Sequence, residues 1–114
     1  MNLVVLEGAV VRDPDHRQLA TGQVLASFDL AAESEAGPPE RVPVAWPDPD
    51  ARVEVVPGLE VVVVGRVRRR FFRVGGATQS RTEVVAARVV PVRQRAKVRT
   101  AINAVAGALT ERTA

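Results

Sequence analysis

The apolar residues of this chain come in short, β-branched bursts separated by polar and turn-forming residues. Such residues fit a pleated, half-buried surface better than a helix. Leu3 to Val11 reads as a strand, with Gly8 marking a bulge or a close backbone approach. Asp13-Pro14-Asp15 reads as a turn or loop. From Gln23 to Ala32, Val24, Ala26, Phe28 and Leu30 recur at every second position, the period of a strand with one buried face. Glu40 to Trp46 is a third predicted strand, ended by Pro47-Asp48-Pro49-Asp50 because proline removes a ladder donor. Residues 51–56 fit either a short helix or an extended segment. After a turn at Pro57-Gly58, a fourth strand runs from Glu60 to Phe72. It opens with Val61-Val62-Val63-Val64, apolar on both faces as in a closed barrel or a sandwich core. It continues past Gly65 as Arg66-Val67-Arg68-Arg69-Arg70-Phe71-Phe72-Arg73. Gly75-Gly76 then separates it from a fifth strand, Arg81 to Val90, predicting a long hairpin with a basic and aromatic tip.

Five short strands with little helix between them predict an all-β chain folded as a small antiparallel barrel. The OB-fold is the five-stranded, partly open example of such a barrel. The pattern changes at Arg93, where alanine replaces the strand formers. Val98, Ile102, Val105 and Leu109 follow in steps of four, three and four, one face of a helix. The predicted organisation is therefore a barrel over residues 1–92 and a basic, amphipathic C-terminal helix over residues 93–114. Arg93, Arg95, Lys97 and Arg99 crowd the start of that helix, where cations oppose the macrodipole. A polyanion or an acidic neighbour would hold them there. An ordinary surface helix docked by its apolar stripe is the simpler alternative.

Composition narrows the chemistry. The chain has 114 residues, 46% hydrophobic and 25% charged, enough for one modest core. It has no cysteine and one histidine, His16, which argues against disulfides, thiolate chemistry, a zinc site and a Ser-His triad. No nucleotide loop or paired-carboxylate spacing is visible, so no catalytic residue, metal site or cofactor is expected, and the chain does not read as an enzyme. No apolar run approaches the roughly 18 residues of a membrane span. Met1-Asn2-Leu3-Val4 lacks the flank of a secretory signal. A cytoplasmic protein without membrane contact is the expectation. The net charge of +3 conceals an asymmetry. Residues 1–60 carry 11 acids and 4 basic groups, whereas residues 61–114 carry 12 basic groups and two acids, Glu83 and Glu111. Such a division points to a basic surface for a polyanion, or to two halves that neutralise each other after folding.

Asn2, Val4, Leu6 and Gly8 at alternate positions are followed by Asp13-Pro14, Arg17, Gly22 and Phe28-x-Leu30-Ala31. Next come Val42-Pro43-Val44-Ala45-Trp46, Pro57-Gly58, Val63-Val64-Gly65-Arg66-Val67-Arg68 and Thr82-Glu83-Val84. In order and spacing, residues 1–90 resemble the bacterial single-stranded DNA-binding proteins. The resemblance implies an OB-fold homo-oligomer, usually a tetramer with a dimer as the alternative. It also implies a coat on single strands exposed in DNA replication, recombination and repair, without strong sequence preference.

That task needs a basic track for phosphates and aromatic faces for unstacked bases. Alternation along the fourth predicted strand puts Arg66, Arg68, Arg70 and Phe72 on one side. The resemblance places strand-contacting arginines at Arg68 and Arg70, a stacking aromatic at Phe72, a second at Trp46 and a loop arginine at Arg17. Arg73 is the next basic group along the hairpin, without a family counterpart. Phe28, and one of Phe71 and Phe72, fit the core. Two family aromatic positions fall near Ala36 and Glu40, neither aromatic. The family's acidic tail with its terminal phenylalanine is replaced by Thr110-Glu111-Arg112-Thr113-Ala114, so recruitment of repair enzymes through such a tail is not expected. The expected function is single-stranded DNA binding through Arg17, Trp46, Arg66, Arg68, Arg70, Phe72 and Arg73. The alternative is an OB-fold protein-interaction or assembly subunit with weak or no DNA binding.

Overall fold

In the computed structural model, which describes residues 1–113, six strands precede one helix. They are β1 (Val4–Val10), β2 (Asp15–Gln18), β3 (Val24–Ala32), β4 (Glu40–Pro47), β5 (Glu60–Val74) and β6 (Ala77–Pro91), followed by α1 (Arg95–Thr113). The order β1-β5-β6-β4-β3, with β1 also paired to β3, closes the sheet on itself. This is the all-β OB-fold barrel that the strand pattern predicted. Every pairing is antiparallel except β4 with β6, which is parallel.

One strand was not predicted. β2 starts at the last residue of the expected Asp13-Pro14-Asp15 turn and runs on through a stretch with no predicted element, and all four of its residues are exposed. Its polar sequence, Asp15-His16-Arg17-Gln18, carries no hydrophobic period. Backbone bonding forms it instead: β1 covers β3 only at Leu30–Ala32, and β2 pairs with the stretch left open, Val24–Ser27. Residues 51–56 are neither helix nor strand: 51–53 form a turn, with Val53 N–H donating to the Asp50 carbonyl, and 54–56 are irregular.

The interior is filled by Val10, Ala26, Phe28, Leu30, Val44, Trp46, Val61, Val63, Val84 and Val89. The valine run divides as its two-sided pattern requires. Val61 and Val63 enter the barrel, while Val62 and Val64 join Val90 beneath α1. The helix docks through Val98, Ala101 and Val105, and Ile102 and Leu109 stay exposed. Its docking face is thus rotated from the predicted stripe. Ala101 sits flush against the sheet, where a longer side chain would hold the helix away.

Two glycines allow the closure. A Cβ on Gly8 would collide with the Ala31 carbonyl, at the point where β1 passes from β5 to β3. A Cβ on Gly65 would collide with the Val85 carbonyl, at the register shift between Val64 and Gly65 in the β5–β6 ladder. Beyond Val67 and Val84 the two strands continue past the barrel as an arm that ends in Gly75-Gly76. Both turn glycines have positive φ, 58° and 81°, as a two-residue hairpin turn requires.

Candidate nucleic-acid interface

The outer surface of β2, β3 and β4 and the base of the arm enclose a groove. In β3, Ala26, Phe28 and Leu30 point inward, so Leu25, Ser27 and Asp29 point out. The β2 register sets Asp15 opposite Ser27 and Arg17 opposite Leu25, adding both to the same face. Across the groove the arm sets Arg68 opposite Glu83, Arg70 opposite Arg81 and Phe72 opposite Gln79. The groove is lined by Arg12, Arg17, Arg68, Arg70 and Arg81, and by Asp13, Asp15, Asp29 and Glu83.

Of the residues singled out by sequence, Arg17, Arg68 and Arg70 meet in this groove. Phe72 lies on the same face of the arm beyond Arg70, whose guanidinium carbon is 6.0 Å from the ring centre. Phe71 occupies the reverse face beneath Arg69, at 5.8 Å. Both phenylalanines are exposed, 66% for Phe71 and 36% for Phe72, so neither belongs to the core as one was expected to.

Three expected site residues lie elsewhere. Trp46 is only 4% exposed and packs in the barrel interior. Its expected role as an open stacking face is corrected: β4 turns this side chain into the cluster of Phe28 and Val44, and what remains of its surface borders a separate depression with Asp50, Arg52 and Lys97, away from the groove. Arg66 flanks a separate depression with Asn2, Leu3 and Pro47. Arg73 is at the arm's tip, where it donates to the Gly76 carbonyl at 2.8 Å.

Arg12 and Arg81 are groove residues missed in the sequence. Arg81 was legible in principle. A two-residue turn at Gly75-Gly76 pairs Val74 with Ala77, and counting back from it sets Arg70 opposite Arg81. Arg12 had no such signal; it has a positive φ of 75° and reaches Asp29 at 2.8 Å.

Like charges directly opposite on a sheet repel. The Arg70–Arg81 pair is relieved by carboxylates on either side. Glu83 lies 3.3 Å from Arg70 and 3.4 Å from Arg68, and Asp29 lies 3.8 Å from Arg81. The groove is therefore a lattice of alternating charge and not a plain cationic track. Away from it, Arg52 hydrogen-bonds Asp50 and holds that exposed carboxyl below its usual value. Among the described residues, no group of three or more His, Cys, Asp or Glu side chains is placed to hold a metal ion. No described helix is long and apolar enough to cross a membrane.

An OB-fold barrel with a charged groove and an aromatic arm belongs to the architecture that many oligonucleotide binders share. Solved structures specify the likeness. The dimeric N-terminal domain of PriB from Thermoanaerobacter tencongensis superposes with a TM-score of 0.66 at 16% identity, covering 79% of this chain and 94% of that one. The Plasmodium falciparum SSB, in complex with ssDNA, superposes with a TM-score of 0.65 at 17% identity, covering 80% and 94%. At such identity the likeness is one of fold. Neither a family model nor a curated protein matches this chain in sequence.

Proposed function

We propose that this protein binds single-stranded DNA without strong sequence preference, as a cytoplasmic homo-oligomer serving DNA replication, recombination or repair. The observation that carries the reading is the convergence of Arg17, Arg68, Arg70 and Arg81 on one outer groove, with Phe72 continuing its face. Guanidinium groups bind phosphates in a bidentate fashion, and an exposed ring stacks on any base. The bound DNA of the Plasmodium SSB, which shares this fold, supports the same use of the barrel. A tetramer is the favoured assembly and a dimer the alternative. The β1 register supports self-association: Val4–Leu6 pair only with β5, leaving one edge open as far as Glu7, whose carbonyl accepts from Glu33 N–H, and Val5 on that edge is 41% exposed.

Titrating labelled oligo(dT) at several salt concentrations tests the reading. Each phosphate neutralised on a single strand contributes about −0.7 to the slope of log K against log salt. Replacing Arg68 and Arg70 with alanine flattens the slope by at most about 1.4. An unchanged slope removes both from the interface. The second reading, a protein-interaction or assembly subunit, is favoured by the near balance of charge in the groove. Absence of oligonucleotide binding at low salt would remove the first reading and leave the second to be tested by co-sedimentation with a protein partner.

A further inference from the structure

Resting on the single-strand reading, we propose that Glu83 and Asp29 compete within the groove for the arginines that hold DNA phosphates, and so set its affinity and salt dependence. Each carboxylate divides its two oxygens between two arginines. Glu83 Oε2 faces Arg68 at 3.4 Å and Oε1 faces Arg70 at 3.3 Å. Asp29 Oδ2 faces Arg12 at 2.8 Å and Oδ1 faces Arg81 at 3.8 Å. Four of the five groove arginines are thereby gathered into two triads, each of net charge +1 in place of +2.

Glu83 is the buried charged residue among those described, 6% exposed, whereas the arginine side chains above it are 39% and 46% exposed. The acid is fixed below, and the guanidinium groups remain open to a ligand above. Its pairing with them is incomplete. Glu83 Oε1 and Arg68 Nε are both buried without a hydrogen-bond partner. A guanidinium has five N–H donors, and these contacts leave several free. A phosphate reaching Arg68 or Arg70 binds a cation whose charge is already half compensated, beside a carboxylate that repels it. Fewer counterions are displaced than five arginines would suggest, so binding is weaker and less salt-dependent than their number implies.

The competing account is structural: the carboxylates serve only to relieve the Arg70–Arg81 repulsion. It requires that removing either one leaves affinity unchanged or lowers it as the arginines disperse. Competition requires the opposite sign. Oligo(dT) titrations of Glu83→Gln, Asp29→Asn and the double variant separate the two, beside the unaltered protein. Each single variant is expected to bind roughly tenfold tighter at low salt. Its log–log salt slope steepens by about 0.7, and that of the double variant by about 1.4. Adding Arg68→Ala to Glu83→Gln should abolish the gain. Asp29, which is less buried, carries the test if Glu83→Gln fails to unfold cooperatively. Unchanged or weaker binding by variants of a protein that itself binds DNA overturns the inference and leaves the single-strand reading standing. If neither the unaltered protein nor any variant binds, the single-strand reading fails and the inference fails with it.

Discussion

Phe72 and Trp46 show how differently two aromatic residues can be used in one barrel. Phe72 is exposed on the groove face of the arm, and replacing it with alanine should weaken oligonucleotide binding by about 1–3 kcal/mol for each base stacked on it. The salt slope should hold, because no phosphate partner is lost. Phe72→Trp should restore or exceed the original affinity. An affinity indifferent to Phe72→Ala would remove stacking from the mechanism. Trp46, enclosed among Phe28 and Val44, belongs to stability. Trp46→Ala should cost about 3–5 kcal/mol in denaturant unfolding. In the folded protein its emission should be blue-shifted and insensitive to added oligo(dT). The sequence places an aromatic residue at the end of a strand in either case. Whether such a residue faces the groove or the interior depends on the barrel's curvature and on its neighbours, which alternation along one strand cannot report.

At the level of elements, the strand pattern was legible wherever a segment has two distinct faces or two buried ones. The alternation in β3 and the valine run in β5 placed both strands, and Gly75-Gly76 located the arm's turn. What stayed hidden was structure held by backbone bonds alone, as in β2, and the rotation of α1, which Ala101 decides. Alanine is small enough to let the helix approach Val62, Val64 and Val90, so the docking face follows it and not the larger Ile102 and Leu109. Ala101→Leu should therefore destabilise the protein by about 1–3 kcal/mol through overpacking. Ile102→Ala, at an exposed position, should stay within about 0.5 kcal/mol. Equal effects in thermal unfolding would return the docking face to the predicted stripe. Gly65→Ala should be as costly as Ala101→Leu, because the β5–β6 ladder must shift to accommodate one methyl against the Val85 carbonyl.

For the whole molecule, the division of charge along the sequence turns out to be spatial mixing. Acids from the first half, Asp13, Asp15 and Asp29, stand in the same groove as arginines from both halves. Counting charge by segment suggested a polyanion surface but could not show that its cations are paired. The open β1 edge and the exposed side chains of Val5, Ile102 and Leu109 give the molecule surface suited to copies of itself. Sedimentation equilibrium at micromolar concentration should give a mass of two or four chains. A mass of about 12 kDa, that of the single chain, would refute assembly.

The parallel contact between β4 and β6 has a consequence for motion. It joins only Val44 to Val84 and Ala45 to Val85, whereas β3 and β4 pair over eight positions. Parallel pairing is also slightly the weaker kind per residue. The wall of the barrel therefore has a seam, and local opening starts where the fewest bonds must break. In native-state hydrogen exchange, amides bonded across this seam should lose protection well before those joining β1 to β5. Val44 and Glu83 border both the seam and the groove. An opening there would widen the groove from below, so bound oligonucleotide should slow exchange at the seam more than at the far wall.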